Sequence, residues 1–246
     1  MNLKMAALIT LSVGLLASCG TSTTSASSNQ AKSSAISSSS ISSSSAMVYW
    51  NTAISYGTLV TGRIGEQSYR TVTIGAQTWM AENLNYSTAS GSACYNSDCT
   101  DYGHSYDWAT AMGFGTNCDT ATCASSVTTP LQGICPSGWH IPSTSEWNTL
   151  QTTAGDTLAG KALKAQTSLW TVDTSTDQYG FSAIPAGLLY QDSAWYDQGA
   201  YAIFWSTTED TTITQAKSWI IEDSFSVFVA SPLSKKMGLS VRCLKD

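Results

Sequence analysis

Short runs in which apolar and polar residues alternate predict several β-strands. They lie at residues 70–74, 201–205, 218–222, 226–229 and 239–243. Alternation with a period of two is typical of strands that bury one face. In the last run Leu239, Val241 and Cys243 share one face, which we expect to point into the core, while Ser240 and Arg242 face the other way.

One helix is predicted to begin at Ser143. The stretch from Ser143 to Glu146 fits a capping box, in which each of the two side chains accepts a hydrogen bond from the other residue's backbone amide. Trp147 and Leu150 follow as an apolar stripe, and Gly155 provides a stop. Shorter helical patterns lie at residues 106–112 and 158–164. Few helices among many short strands indicate an α+β domain with long loops.

The first 19 residues combine one lysine, an apolar segment and a cysteine. Residues 5–16 are too few to cross a hydrocarbon layer about 30 Å thick, but they suit the apolar region of a signal peptide. The segment closes with Leu16-Ala-Ser-Cys19, as bacterial lipoprotein signals do. We therefore expect residues 1–18 to be a signal peptide and Cys19 to be acylated, so that the lipid bilayer is a partner of the chain. Gly20 favours transport to the outer membrane or the cell surface, by resemblance to other lipoproteins.

The residues after Cys19 have a different composition. Residues 21–46 are mostly Ser, Thr and Ala, and such a segment buries too little apolar surface to offset its ordering entropy. We expect residues 19–46 to form a flexible tether and residues 47–246 to form one globular domain. No apolar run after Cys19 approaches the ~20 residues of a membrane-spanning helix, so the lipid would be the membrane attachment.

The seven cysteines agree with export. Without Cys19 six remain, which allow about 15 pairings. They are Cys94, Cys99, Cys118, Cys123, Cys135 and Cys243. Two pairs share a short C-x4-C spacing, so we expect two local disulfides and one long bridge between the remaining two cysteines. Zinc binding by four cysteines is the alternative, but we expect no histidine to lie near these pairs, and an oxidising compartment favours disulfides.

The charge balance argues against nucleic acid as a partner. The chain has 11 basic and 17 acidic residues, and Lys235-Lys236 is its only adjacent basic pair. Binding to phosphates requires clustered Lys and Arg.

Five segments together resemble a known family. They are residues 77–85, 135–147, 179–183, 204–209 and 240–246. Their sequences, such as CPSGWHIPSTSEW at 135–147, resemble the Fibrobacter succinogenes major paralogous domain, a module of bacterial surface and secreted proteins, in order from about residue 56 onwards. The resemblance implies a C-type-lectin-like fold, because the helix start and the closing Arg-Cys strand are similar to those of lectin-like and formylglycine-generating domains. It carries no established catalytic residues.

Metal and catalytic motifs are sparse. The calcium-dependent sugar motifs Glu-Pro-Asn, Gln-Pro-Asp and Trp-Asn-Asp are absent from the sequence. The adjacent acids Glu209-Asp210 and Glu222-Asp223 could supply oxygen ligands for calcium, but we expect them to be solvated instead. Only two histidines occur, His104 and His140, and hydrolase motifs such as His-Glu-x-x-His are absent. We expect His140 to make a structural hydrogen bond. No catalytic residue, metal or cofactor is assigned from the sequence.

An aromatic stretch at residues 190–201 is the candidate ligand site. Its rings are Tyr190, Trp195, Tyr196 and Tyr201, interleaved with amide and carboxylate side chains that suit a sugar. The alternative is that Trp195 and Tyr201 belong to the core. The sequence thus favours a non-catalytic recognition domain for polysaccharide. A structural or protein-adhesion module of the cell envelope is the second hypothesis, and an envelope enzyme related to formylglycine-generating folds is the third.

Overall fold

The computed structural model describes residues 50–62, 67–97, 99–172, 174–191 and 194–246. The proposed signal peptide, Cys19 and the tether lie outside these residues. Among the described residues, no helix has both the length and the apolar character needed to cross a bilayer.

The described residues form short strands and a few short helices. The strands are β1 Gly57–Val60, β2 Ser68–Ile74, β3 Gln77–Met80, β4 Ser92–Ala93, β5 Ser105–Tyr106, β6 Trp139–His140, β7 Leu188–Leu189, β8 Trp195–Tyr196, β9 Tyr201–Glu209, β10 Gln215–Glu222, β11 Phe228–Ser234 and β12 Leu244–Lys245. The α-helices are α1 Trp108–Met112, α2 Thr144–Thr153 and α3 Ala159–Leu163. Single turns of 3₁₀-helix lie at Tyr95–Ser97, Thr116–Asp119, Ala124–Ser126 and Asp156–Leu158.

All pairings between these strands are antiparallel. A five-stranded sheet has the order β1-β2-β3-β12-β6, and a three-stranded sheet has the order β11-β10-β9. Two further hairpin-like pairs are β4-β5 and β7-β8. The predicted strands at residues 70–74, 201–205 and 218–222 are confirmed as β2, β9 and β10. The run at 226–229 is displaced, since β11 begins at Phe228 and continues through Pro232, which is tolerated because β11 is an edge strand.

The predicted capping box opens helix α2. Ser143 Oγ accepts a hydrogen bond from the Glu146 amide, and the Glu146 carboxylate accepts one from the Ser143 amide at 2.7 Å. Trp147 and Leu150 are both fully buried, and the helix ends at Thr153. The other two helical patterns form shorter helices than predicted. The first begins only after Asp107, whose side chain caps it, because Tyr106 pairs in β5.

Fully buried tryptophans fill the core. They are Trp79, Trp108, Trp147, Trp205 and Trp219. Trp147 lies at the centre of one cluster, with its ring 4.6 Å from Trp79 and 5.6 Å from Phe204 between centroids. Such rings bury large apolar areas, so a domain of this size has a substantial core despite its many loops.

The cysteines pair as the spacing predicts. The Cα atoms are 5.0 Å apart for Cys94–Cys99, 5.6 Å for Cys118–Cys123 and 5.9 Å for Cys135–Cys243, all in the range of disulfides. The last pair spans 108 residues and is fully buried. The domain is therefore disulfide-braced, with few short helices and mainly antiparallel sheets.

The segment at 239–243 is not the continuous strand that alternation predicts. It makes isolated bridges on both sides: Leu239 exchanges backbone hydrogen bonds with Tyr106, while the Ser240 amide donates to the Ile203 carbonyl in β9. Leu239, Val241 and Cys243 are buried as expected. Ser240 is buried as well, because the segment lies between two bonded neighbours and has no free face.

Arg242, within this segment, is fully buried. Its Nε donates to Asn83 Oδ1 at 2.7 Å, and its terminal nitrogens donate to the carbonyls of Met80, Phe181 and Ser182. The guanidinium also lies over the Phe181 ring, 4.7 Å from the centroid. The buried guanidinium thus links three parts of the chain: the segments around Met80, around Phe181 and around Arg242 itself.

Candidate functional site

The β7–β8 hairpin places Tyr190 and Tyr196 on one face. Leu188 pairs with Tyr196 and Leu189 with Trp195. Residues opposite each other share a face and alternate residues return to it, so Tyr190, two residues after Leu188, joins Tyr196. The Tyr190 amide donates to the Ala194 carbonyl at 2.8 Å, which continues the pairing of the two strands.

These two tyrosines form an exposed pair. The two residues are 40% and 46% exposed, and their ring centroids lie 5.9 Å apart at an interplanar angle of 83°. In such a T-shaped pair the edge of one ring points at the face of the other, and both residues remain partly exposed to solvent. We call Tyr190 and Tyr196 the tyrosine pair.

Trp195 points to the other side of the hairpin. Its ring lies edge-on to Tyr95, with centroids 5.6 Å apart, and Tyr95 in turn lies 6.0 Å from Tyr102. The Tyr102 hydroxyl is hydrogen-bonded to the Gln198 side chain. Trp195 is therefore only partly buried and is held against the loop that contains the Cys94–Cys99 disulfide.

Sequence reasoning did not include Tyr95 and Tyr102 in the site. They are about 100 residues away from Trp195 along the chain, and no local pattern indicates that contact. The available signal was that Tyr95 lies within the Cys94–Cys99 loop and Tyr102 lies three residues after it.

Tyr201 lies apart from the tyrosine pair. It is partly buried against a core cluster, and its hydroxyl is hydrogen-bonded to the Glu222 side chain. Burial, followed by the nearby charge of Glu222, raises the pKa of Tyr201 to about 12. Burial likewise raises the pKa values of Glu222 and Asp197. Tyr201 thus supports the end of the hairpin rather than presenting a ring to solvent.

The hairpin is fixed to the core by its backbone. Leu189 exchanges two hydrogen bonds with Gly238, at 2.9 and 2.8 Å, and the Gly187 amide donates to the Tyr201 carbonyl at 2.8 Å. Gly187 has a φ of +68°, and a Cβ atom there would lie 2.2 Å from the Tyr196 carbonyl oxygen. Only glycine allows this close approach. The tyrosine pair therefore lies on a rigid support.

The acidic pair considered for calcium is engaged elsewhere. Glu209 was expected to be solvated, but its side chain is only 7% exposed and forms an ion pair with the fully buried Lys235. It also accepts hydrogen bonds from Thr122 Oγ1 and the Cys123 amide. Burial alone would raise the pKa of Glu209, but these partners lower it. Asp210 forms an ion pair with Lys217.

The second acidic pair is also not simply solvated. Asp223 is 7% exposed, and Glu222 is the partner of Tyr201. The expectation of solvated acids was wrong for Glu209, whose side-chain partners Lys235 and Thr122 are distant along the chain, and for Asp223, which is buried.

His140 makes the structural hydrogen bonds expected of it. Its Nδ1 lies 2.7 Å from Asp246 Oδ1, and its Nε2 lies 3.0 Å from Glu146 Oε1. Burial alone would lower the pKa of His140, but the hydrogen bonds to Glu146 and Asp246 outweigh burial and raise it. The histidine thus links β6, α2 and the end of the sheet.

His104 lies beside a cysteine pair, contrary to the expectation that no histidine does. Its Nε2 is 3.4 Å from Cys94 Sγ and 3.3 Å from Cys99 Sγ. Its Nδ1 is 2.7 Å from Asn85 Oδ1. Among the residues that the structure describes, these two cysteines and His104 are the one group of such side chains whose ligand atoms converge, all within 4.8 Å of one another.

Comparison with known proteins agrees with the motifs. The profile of the Fibrobacter succinogenes major domain matches residues 72–245. The chain belongs to this family. The match runs from within β2 to the end of β12 and includes the β7–β8 hairpin, the three disulfides and His104. No curated protein and no solved structure matches the chain.

Proposed function

We propose that this protein is a lipid-anchored, non-catalytic recognition protein of the bacterial cell envelope, whose Fibrobacter succinogenes major domain binds polysaccharide through the tyrosine pair. The exposed, perpendicular rings of Tyr190 and Tyr196 carry the proposal. We further propose that the fold is of the C-type-lectin type, supported by α2, the short antiparallel sheets and the long Cys135–Cys243 bridge.

The chemistry of the pair suits a sugar. A pyranose has an apolar C–H face that stacks on an aromatic ring and a rim of hydroxyl groups that needs hydrogen-bond partners. The face of one tyrosine supplies the stacking surface, and the edge of the other limits how the sugar lies on it. The two phenolic hydroxyls offer donors and acceptors at the rim.

Rigidity strengthens the proposal. Ordering a mobile loop on binding costs free energy, which a preorganised surface avoids. The Leu189–Gly238 hydrogen bonds and the close packing at Gly187 hold the hairpin before any ligand arrives. Polysaccharide chains repeat the same unit, so many weak, preorganised contacts on a cell surface add up to firm attachment.

The envelope location is supported by the sequence. The lipoprotein-like signal ending at Cys19 supplies the anchor, and the serine-rich tether gives a span of roughly 25–30 Å between lipid and domain. A recognition domain on such a tether can reach insoluble material outside the cell.

A retention assay on insoluble polysaccharides tests this function. The full chain carrying Cys19→Ser, to avoid lipid, is incubated with a panel of plant and bacterial cell-wall polysaccharides, and bound protein is measured by sedimentation. We expect retention on at least one polysaccharide, without release of sugar fragments. Loss of retention in the Y190A/Y196A double variant is expected, while Phe225→Ala, which removes an exposed ring in the β10–β11 turn, leaves retention intact.

The other outcomes decide between the remaining hypotheses. Retention on no polysaccharide, together with a specific crosslinked protein partner on intact cells, would replace the proposal with the protein-adhesion module. Release of sugar fragments would indicate an enzyme.

A further inference from the structure

Cys94, Cys99 and His104 form a cluster beyond the carbohydrate surface. The geometry points to a zinc site that is available when the Cys94–Cys99 disulfide is reduced, with both thiolates and the His104 imidazole as ligands. This inference does not depend on the proposed function, because none of these three side chains belongs to the tyrosine pair.

The orientation of His104 is the first argument. The Asn85 side-chain oxygen can only accept a hydrogen bond, so His104 Nδ1 carries the proton and Nε2 presents its lone pair. That lone pair faces both sulfur atoms, at 3.4 and 3.3 Å. A histidine whose other nitrogen donates to an oxygen is the usual arrangement for a metal ligand.

His104 is also fixed in position. Its amide donates to the Leu84 carbonyl at 3.1 Å, and its ring stacks on Tyr106 at a centroid distance of 6.0 Å. Tyr106 is fully buried and belongs to β5. The imidazole therefore needs no rearrangement to meet an ion placed between it and the cysteines.

The positions of Cys94 and Cys99 fit both a disulfide and a pair of zinc-bound thiolates. Zinc–sulfur bonds are about 2.3 Å long, so two thiolates on one ion lie roughly 3.8 Å apart. Cα atoms 5.0 Å apart allow this separation as well as a disulfide. Two thiolates and one imidazole leave a fourth position for water, as in zinc sites with an open coordination position.

Access to the site favours Cys94–Cys99 over the other two pairs. Cys94 and Cys99 are partly exposed, whereas the other four cysteines are buried. A pocket of about 220 Å³ reaches Cys99 and Asn85 from solvent. A reductant and an ion therefore reach this pair first.

The redox step balances. A dithiol reductant transfers two electrons and two protons, the S–S bond of Cys94–Cys99 breaks, two thiols form, and the reductant becomes a disulfide. Zinc then replaces the two thiol protons, which pass to water, and forms two bonds to sulfur and one to His104 Nε2. The cluster thus holds a disulfide in oxidising surroundings and zinc in reducing ones.

The same chain offers a matched control. Cys118 and Cys123 have the same C-x4-C spacing, but no histidine converges on them among the described residues. Spacing alone would make the two pairs equivalent, whereas a site that depends on His104 makes them different.

Zinc binding to the reduced protein tests the inference. The full chain with Cys19→Ser is treated with a limiting amount of dithiothreitol, and alkylation mapped by mass spectrometry identifies the thiols that form. Zn²⁺ affinity is then measured against a chromophoric chelator. We expect one Zn²⁺ per chain in the reduced protein, protection of Cys94 and Cys99 from alkylation, and no comparable binding in the oxidised protein.

Variants separate this site from adventitious thiol binding. H104Q and C94S/C99S are expected to weaken binding tenfold or more, and N85A to weaken it about 10- to 100-fold through the orientation of His104. C118S/C123S should bind like the parent chain. Substitution with Co²⁺ gives a second readout, since sulfur-to-cobalt charge-transfer bands should appear in the parent and be lost in C94S/C99S.

Several results would overturn the inference. They are equal Zn²⁺ affinity in H104Q and the parent, loss of binding in C118S/C123S, or a folded, reduced protein that binds no zinc. Unfolding when only Cys94–Cys99 is open, detected by circular dichroism, would also count against it, because the site requires His104 in its folded position.

Discussion

Buried charged side chains hold loops of this domain together. Lys164 is fully buried, and its ammonium donates to Thr174 Oγ1 and to the carbonyls of Glu222, Asp223 and Phe225 at 2.7–3.2 Å. Buried ammonium and guanidinium groups are tolerated only when such partners replace water. Lys235 and Arg242 are satisfied in the same way. Each therefore fixes irregular backbone that strands and helices leave unpaired.

The His140 hydrogen bonds give a pH-dependent contribution to stability. The pKa of His140 in the folded protein is raised above its unfolded value of about 6.5, so its stabilisation is fully present below that pH and is lost as pH rises through the folded pKa. We expect His140→Gln to lower the free energy of unfolding by about 2 kcal/mol near pH 6. Denaturant titrations over a pH series measure this difference.

Comparing His140→Gln with the parent protein isolates the effect of His140, because His104 is present and titrates in both proteins. The deficit of the variant should shrink as the pH rises above about 6.5 and through the raised pKa of His140 in the folded protein. A deficit of equal size at every pH would mean that the charged histidine adds nothing to the fold.

Elements with strong local signals could be predicted from the sequence, whereas those defined by distant partners could not. The capping box fixed the start of α2, and alternation located β2, β9 and β10. The segment at 239–243 has the same alternation but bonds to neighbours on both sides, so its polar residues are buried too. Alternation along a strand indicates which face is buried, but it does not indicate whether other parts of the chain also cover the opposite face.

The contacts of the candidate site also fall into local ones and ones that depend on distant parts of the chain. Tyr190 and Tyr196, two of the four candidate rings in the aromatic stretch, are neighbours because they belong to one short hairpin. The contact of Trp195 with Tyr95, and that of His104 with two cysteines, depend on how the loops are folded. Tyr201 was grouped with the hairpin by sequence but bonds to Glu222 on a neighbouring strand.

The long disulfide should contribute more stability than the short ones. A bridge across 108 residues removes more chain entropy from the unfolded state than one across five, about 4.7 against roughly 2 kcal/mol in the loop-entropy model. We expect C135A/C243A to lower the unfolding free energy by about 4–5 kcal/mol and C118A/C123A by about 2. Denaturation without reductant measures both, and equal losses would show that loop length does not govern this stability.

The whole molecule combines an anchor, a tether and a binding domain in the proposed account. In this account its formal charge of −6 and its scattered basic residues argue against nucleic acid as a partner. The proposed binding surface is instead the exposed tyrosine pair on the β7–β8 hairpin, whose two rings lie at 83° to each other.

Anchoring through Cys19 is tested by one substitution. Cys19→Ser should release the protein from the membrane fraction or leave its precursor uncleaved, because no acyl chain can be attached. Cell fractionation and mass spectrometry of the amino terminus measure this. Membrane association and processing identical to the parent would contradict acylation at this residue.

The affinity of the tyrosine pair for a retained polysaccharide tests the central claim most directly. The dissociation constant of Y190A/Y196A for soluble fragments of that polysaccharide, measured calorimetrically beside the parent and F225A, should be about tenfold or more higher than that of the parent. F225A should bind like the parent. An unchanged dissociation constant in a folded Y190A/Y196A variant would contradict the account.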